Sequence, residues 1–167
     1  MKSIVIYFSR ADENYFGGSI KYIDKGNTEV IAEMISEQTG ADLFKVEPVQ
    51  EYAKDYNTCI SQADKHSKEN ARPQIKAIPT DLDKYEIIYL GYPNYWGTMP
   101  MHMFTLLEAI NTTGKTIKPF CTHEGSEMGR SEKDIAELCG SNTNIEKGLS
   151  VIGSEVYSAK KDVEKWL

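Results

Sequence analysis

The sequence has few cysteines, an acidic rather than basic charge balance and no long hydrophobic run, and each shortage excludes a class of protein. Cys59, Cys121 and Cys139 form no Cys-x-x-Cys pair and lack metal-ligand spacing, so we predict no metal site and a reducing, cytoplasmic location. Lys and Arg number 19 against 25 Asp and Glu, a net charge of -6, and no basic stripe is present that would bind nucleic acid. The apolar run at the N-terminus stops after Phe8, too short for a signal peptide core, and no run is long enough to span a membrane.

The sequence does contain a regular alternation of strand and helix patterns. Five apolar segments have strand length, and they cover residues 3–8, 41–46, 86–91, 116–121 and 149–153. The first and third are almost continuously apolar, which is typical of central parallel strands covered on both faces, whereas the second alternates like an edge strand. The fourth contains Pro119, which cannot donate a hydrogen bond to a neighbouring strand.

Apolar residues at helical spacing lie between these strands. The stripes include Val30, Ile31, Met34 and Ile35; Tyr52, Tyr56, Cys59, Ile60 and Ala63; Met103, Phe104, Leu107 and Ile110; Ile135, Leu138 and Cys139; and Ala159, Val163, Trp166 and Leu167. Five strands alternating with five helices predict a parallel α/β sheet with right-handed crossovers. We expect residues 1–167 to form one domain, because this length buries an adequate core without disulfides or metals.

In such sheets ligands bind beyond the carboxyl ends of the strands, so the loops after Phe8, Gly91 and Cys121 are the candidates for chemistry. The first loop carries Ser9 and, before the first helix, Gly26-Asn27-Thr28. A helix N-terminus of this kind attracts an anion through its unpaired N–H groups. Taken alone, however, this loop favours plain helix capping by Asn27 or Thr28.

The other two loops add an aromatic wall and backbone donors. Tyr95 and Trp96 belong to no helix or strand stripe, which favours stacking on a flat ring over packing or a subunit contact. After the fourth strand, Gly125 frees the backbone to point N–H groups at a ligand. His123 and Glu124 are adjacent and resemble an acid/base pair, but no nucleophile is placed beside them, so they are weak catalytic candidates.

Together these residues resemble the three FMN-binding loops of flavodoxin-like proteins, and the likeness runs over essentially the whole chain. The residues that carry it are Ser9 with Gly26-Asn27-Thr28, then Pro93-Asn94-Tyr95-Trp96-Gly97, then Thr122-His123-Glu124-Gly125-Ser126. The resemblance implies a three-layer sandwich with a five-stranded parallel sheet in the order 2-1-3-4-5 and helices on both faces.

The resemblance also implies a role for each loop in binding FMN. Ser9, Arg10, Asn27 and Thr28 would hold the phosphate. Residues 93–97 would run along one side of the isoalloxazine, with Tyr95 or Trp96 stacking on it. Residues 122–126 would offer backbone donors to the edge of the ring.

Two departures from the family pattern bear on function. Residues 11–25 interrupt a phosphate turn that is normally compact, and we expect this insertion to lie over the cofactor or at a partner contact. The third loop has no Phe, Tyr or Trp before Arg130, so one flavin face is expected to be open. An open face suits hydride transfer, whereas a closed sandwich suits one-electron transfer.

The resemblance therefore leaves several functions to compare. We favour an FMN-binding electron-transfer flavoprotein that serves a redox partner protein. The alternative is an NAD(P)H-dependent FMN quinone reductase acting on a small quinone-like acceptor, with His123 or Glu124 as proton donor. A phosphorylated receiver is disfavoured because Ser9-Arg10 and Pro93-Asn94 stand where its acidic residues belong. A binding module without cofactor and a homodimer contact through Tyr95, Trp96 or the insertion both stay open.

Overall fold

A parallel β-sheet forms the centre of the molecule, in a computed structural model that describes all residues from Met1 to Leu167. Its strands are β1 (Ser3–Tyr7), β4 (Asp42–Lys45), β5 (Ile87–Pro93), β6 (Thr116–His123), β7 (Asn144–Ile145) and β8 (Leu149–Ile152). The order is β4-β1-β5-β6-β7, and β8 continues the edge by pairing with the later part of β6. This topology confirms the predicted flavodoxin-like sandwich, with β7 and β8 together in the place of the fifth strand.

The helices cover both faces of this sheet because neighbouring strand residues point to opposite sides. They are α1 (Asn27–Thr39), α2 (Tyr56–Lys68), α3 (Met101–Ala109), α4 (Ser131–Cys139) and α5 (Lys160–Trp166), and short 3-10 helices span Leu82–Lys84 and Gly153–Ser158. Val5 and Ile31 belong to the core under α1 and α5, whereas Ile6, Leu106 and Ile135 belong to the core under α3 and α4. None of the helices is both long and apolar enough to cross a bilayer.

Pro119 lies inside β6, between two other strands, and the sheet accommodates it by interrupting its edge. The Ile117 carbonyl accepts the Glu146 N–H and therefore faces the edge strand. Backbone groups two residues apart in a strand face the same neighbour, so the N–H that Pro119 lacks would also have faced the edge strand. There β7 has ended and β8 has not begun, and residues 146–148 make no ladder with Pro119. In this break the Lys147 carbonyl accepts the indole N–H of Trp166 at 2.9 Å, so it needs no donor from β6.

The insertion at residues 11–25 forms a β-hairpin that the sequence patterns did not reveal. Strands β2 (Asp12–Phe16) and β3 (Ser19–Ile23) pair antiparallel around Gly17 and Gly18, whose φ angles are both positive. Two consecutive residues with positive φ are what a tight two-residue hairpin requires, and glycine adopts them without steric cost. The hairpin lies at the carboxyl end of β1, beside the loops expected to bind a ligand.

Candidate functional site

The N-terminus of α1 is capped from outside the helix, which leaves its first amides free. Ser9 Oγ accepts the Glu29 N–H at 3.0 Å, and the backbone N–H groups of Gly26, Asn27 and Thr28 have no acceptor within the protein. A side chain at Gly26 would overlap Ser9 Oγ and place a Cβ 2.7 Å from the Arg10 carbonyl oxygen. Only glycine fits this position, and the result is a cluster of unpaired donors of the kind that binds a phosphate.

The hydroxyls of this region are tied to the third loop. Thr28 is buried, and its Oγ1 lies 2.7 Å from Thr122 Oγ1. This bond fixes the start of α1 against the end of β6, 94 residues away in sequence. The first and third predicted loops therefore meet directly, as the sheet order requires.

The second loop has a rigid turn whose two aromatic side chains point in different directions. Asn94 holds the turn, because its Oδ1 accepts the Gly97 N–H and its Nδ2 donates to the Glu127 carbonyl, both at 2.9 Å. Tyr95 packs edge-on against Phe8, with ring centroids 6.1 Å apart, and burial raises the pKa of its hydroxyl.

Trp96 is the aromatic residue at the rim. It is 52% exposed, has a φ of 55°, and donates from Nε1 to the Ile60 carbonyl of α2 at 3.0 Å. Positive φ is strained for a bulky residue and is often retained at binding sites. The hydrogen bond to α2 fixes the indole, so Trp96 offers a ring whose position is set before a ligand arrives.

The third loop supplies further unpaired backbone donors. Glu124 and Ser126 have N–H groups without an acceptor, and Gly125, with a φ of 132°, turns the chain between them. His123 is buried, and its Nδ1 accepts the Gly125 N–H at 2.9 Å, so only Nε2 remains for a ligand. Burial raises the pKa of Glu124, although the N–H groups of Gly17 and Gly153 oppose the rise.

These loops surround one cavity of about 360 Å³. The predicted residues that line it are Arg10, Asn27, Asn94, Tyr95, Trp96, Gly97, Thr122, His123, Glu124 and Ser126. The other predicted residues, Ser9, Gly26, Thr28, Pro93 and Gly125, lie in the same loops but not on the cavity wall. The structure thus brings the three predicted loops to one place.

Part of the wall comes from residues that the sequence patterns did not assign to a site. They are Asn14 and Tyr15 from the hairpin, Tyr56, Cys59, Ile60 and Ala63 from α2, and Gly153 after β8. The α2 residues were interpreted only as a core stripe. Gly153 follows the carboxyl end of a parallel strand, so the rule that selected the other loops would have found it.

Arg10 fastens the hairpin to the segment before α2. Its guanidinium donates to the carbonyls of Ala53 and Lys54, each at 2.7 Å, and to the carbonyl of Glu13 in the hairpin. The backbone adds a bond from the Glu13 N–H to the Lys54 carbonyl at 3.1 Å. The insertion is therefore an ordered part of the cavity wall and not a free tail.

The fold and the site define a class of protein: a flavodoxin-like α/β sandwich with a cavity where three loops meet at the carboxyl ends of its strands. A flavodoxin family model matches residues 18–167. The chain belongs to the flavodoxin family. No curated protein matches its sequence.

Solved structures resemble the chain over nearly its full length. A protein from Bacteroides eggerthii described as a flavoprotein is 25% identical, with 98% of each chain covered and a TM-score of 0.74. A flavoprotein from Lactobacillus acidophilus in complex with FMN is 20% identical, with 94% of this chain and 97% of that chain covered and a TM-score of 0.68. An NADH:FMN oxidoreductase in its apo form is 9% identical, with 99% and 88% covered and a TM-score of 0.51, a likeness of fold.

Proposed function

We propose that this chain binds FMN in the cavity between the three loops and acts as an electron-transferring flavoprotein. The observation that carries the proposal is the convergence of unpaired backbone donors from separate loops on one cavity: Asn27, then Trp96, then Glu124 and Ser126. An anionic group and a flat heterocycle with several acceptors would together satisfy them. Family membership and the FMN complex of the Lactobacillus acidophilus flavoprotein support the same cofactor.

Each loop has a role in this proposal. Gly26, Asn27 and Thr28 bind the phosphate through their N–H groups, while the Ser9 hydroxyl, which already accepts from Glu29, donates its proton. Trp96 packs on the ring, and Glu124 and Ser126 donate to its polar edge. Bound FMN supplies one- and two-electron redox chemistry, and the protein sets its position and potential.

An NAD(P)H-dependent FMN quinone reductase is the second candidate, because the third loop carries a titratable side chain in place of a second aromatic. Desolvation raises the pKa of the Glu124 carboxyl, which is the direction that a proton donor to a quinone needs. His123 is less suited, since its Nδ1 is committed to Gly125. The similar fold of the NADH:FMN oxidoreductase agrees with this alternative.

One pair of experiments separates the two functions. Photoreduction of the FMN-loaded protein with spectral recording should show a stable one-electron state if it is a carrier. A carrier loaded with FMN should also oxidise NADH or NADPH in the presence of a quinone no faster than free FMN does. Rapid quinone-dependent turnover that falls at least tenfold in Glu124→Gln, with FMN affinity unchanged, would instead establish the reductase.

A further inference from the structure

Arg10 carries a positive charge at the cavity, and no acidic side chain pairs with it. Its guanidinium bonds only to the backbone carbonyls of Glu13, Ala53 and Lys54, and it makes no ion pair. Its Nε is buried and has no hydrogen-bond partner. Arg10 is half-buried at the cavity wall, and a charge held there with no opposite charge beside it points to the ligand as the source.

The ionisable groups around Arg10 do not pair with it. Glu124, on the same cavity wall, lies instead beside the N–H groups of Gly17 and Gly153. Tyr56, Cys59 and Tyr95 share the cavity wall with Arg10, and burial raises the pKa of each, which keeps them neutral near pH 7. The Asp55 carboxylate is exposed and caps α2 by accepting the Thr58 N–H at 2.9 Å. The pKa of Asp55 is lowered mainly by its hydrogen bonds with Thr58, with a smaller effect of Arg10.

The side chain of Arg10 extends away from the phosphate loop. Its backbone lies against Gly26, at the start of α1, but the three carbonyls that hold its guanidinium belong to the hairpin and to the segment before α2. On that side of the cavity lie Cys59 and Ile60, and Ile60 accepts the indole hydrogen bond of Trp96. The charge is therefore held on the α2 side of the cavity, close enough to Cys59 and Tyr95 to act on both.

We propose that Arg10 compensates negative charge on the isoalloxazine ring, and not on the phosphate, and thereby raises the reduction potential of bound FMN. The inference rests on the proposed FMN site. When an oxidised flavin takes two electrons from a reductant such as dithionite and one proton from water, the ring gains one negative charge. A cation held nearby in a partly dry site stabilises that charged product relative to the oxidised ring.

Two variants separate the charge of Arg10 from its anchoring role. Arg10→Gln and Arg10→Lys both lose the guanidinium that bridges three carbonyls, but only the lysine keeps a positive charge. We expect the midpoint potential of bound FMN, measured by dithionite titration against a reference dye, to fall in Arg10→Gln and to stay nearer the wild-type value in Arg10→Lys.

Comparison of FMN with riboflavin, which lacks the phosphate, tests the location. If Arg10 acts on the ring, Arg10→Gln changes the dissociation constants of both ligands by similar factors. A tenfold loss for FMN with riboflavin unaffected would assign Arg10 to the phosphate and overturn the inference, as would equal midpoints in FMN-loaded wild type and Arg10→Gln. A wild-type protein that binds no FMN would overturn the proposed function itself, and the inference with it.

Discussion

At the scale of single residues, Gly26 is the position where the site tolerates least change. Its Cα lies so close to Ser9 and to the Arg10 carbonyl that any side chain must displace one of them. Ser9 is the cap that leaves the Asn27 and Thr28 amides free, so its displacement should disorganise the phosphate site.

We therefore predict that Gly26→Ala weakens FMN binding at least tenfold, or about 1.4 kcal/mol. Titration of the wild-type and Gly26→Ala apoproteins with FMN, followed by flavin fluorescence, measures the two dissociation constants. Gly114→Ala is the control, since that glycine has open space around it and lies away from the cavity. Gly114→Ala should cost some stability through its positive φ but leave the dissociation constant unchanged, and equal losses in the two variants would contradict the prediction.

His102 should make stability depend on pH. It is buried, its ring stacks on Phe8 with centroids 5.7 Å apart, and its Nδ1 has no partner. Burial, with a smaller effect of nearby His66, lowers its pKa to about 4 from the ordinary 6.5. Below pH 6.5 the unfolded chain binds a proton that the native protein does not, so the native state loses stability as the pH falls from about 6.5 to about 4.

Urea unfolding of wild type and His102→Leu at several pH values tests this effect. We expect the difference between their unfolding free energies to shift in favour of the leucine variant by up to about 3 kcal/mol across that interval. Carboxylates titrate in both proteins and cancel in the difference. Two stability curves that run parallel from pH 7 to pH 4 would show that His102 carries no such effect.

At the scale of elements, the hairpin shows why part of the site could not be predicted from the sequence. The hydrophobic period identified the central strands, because residues buried on both faces give continuous apolar runs. In β3, Ser19 to Tyr22 are all exposed, so no period marks the strand. Its conformation depends on Gly17-Gly18 and on the contacts of Arg10, which connect residues more than 40 apart in sequence.

The hairpin also gives a prediction about ligand-dependent order. Asn14 and Tyr15 line the cavity, so FMN should hold the hairpin against α2. Limited digestion with trypsin should cut after Lys21 more slowly when FMN is saturating. Cleavage after Lys147, in the break between β7 and β8, provides the internal control and should not change. Equal protection at both lysines, or none at Lys21, would show that FMN does not hold the hairpin in place.

Pro119 illustrates the same limit in a strand. Its missing N–H argued against a central position, and the structure places it there opposite a break in the edge. Sequence patterns describe one segment at a time, whereas the break that makes this proline acceptable lies in residues 146–148. The strand was therefore predictable, and the split of its neighbour into β7 and β8 was not.

At the scale of the whole molecule, the sheet order brings the ends of β1, β5 and β6 together at one edge. The alternation of strands and helices predicted a parallel sheet, but the order came from the resemblance to flavodoxin-like proteins. Once the order is given, the meeting of Thr28 with Thr122 follows. The cavity wall formed by α2 includes a hydrogen bond from Trp96 to Ile60 that no pattern in the sequence indicates.

The most direct test of the account is a calorimetric titration of the protein with FMN, with indole emission recorded in parallel. We predict binding of a single FMN per chain, with heat and with quenching of the emission from Trp96. In Trp96→Phe the heat should persist while most of the quenching disappears, because Trp166, the last residue of α5, packs against the core under α1 and does not line the cavity. A titration of wild type that gives neither heat nor quenching would contradict the FMN site and the functions built on it.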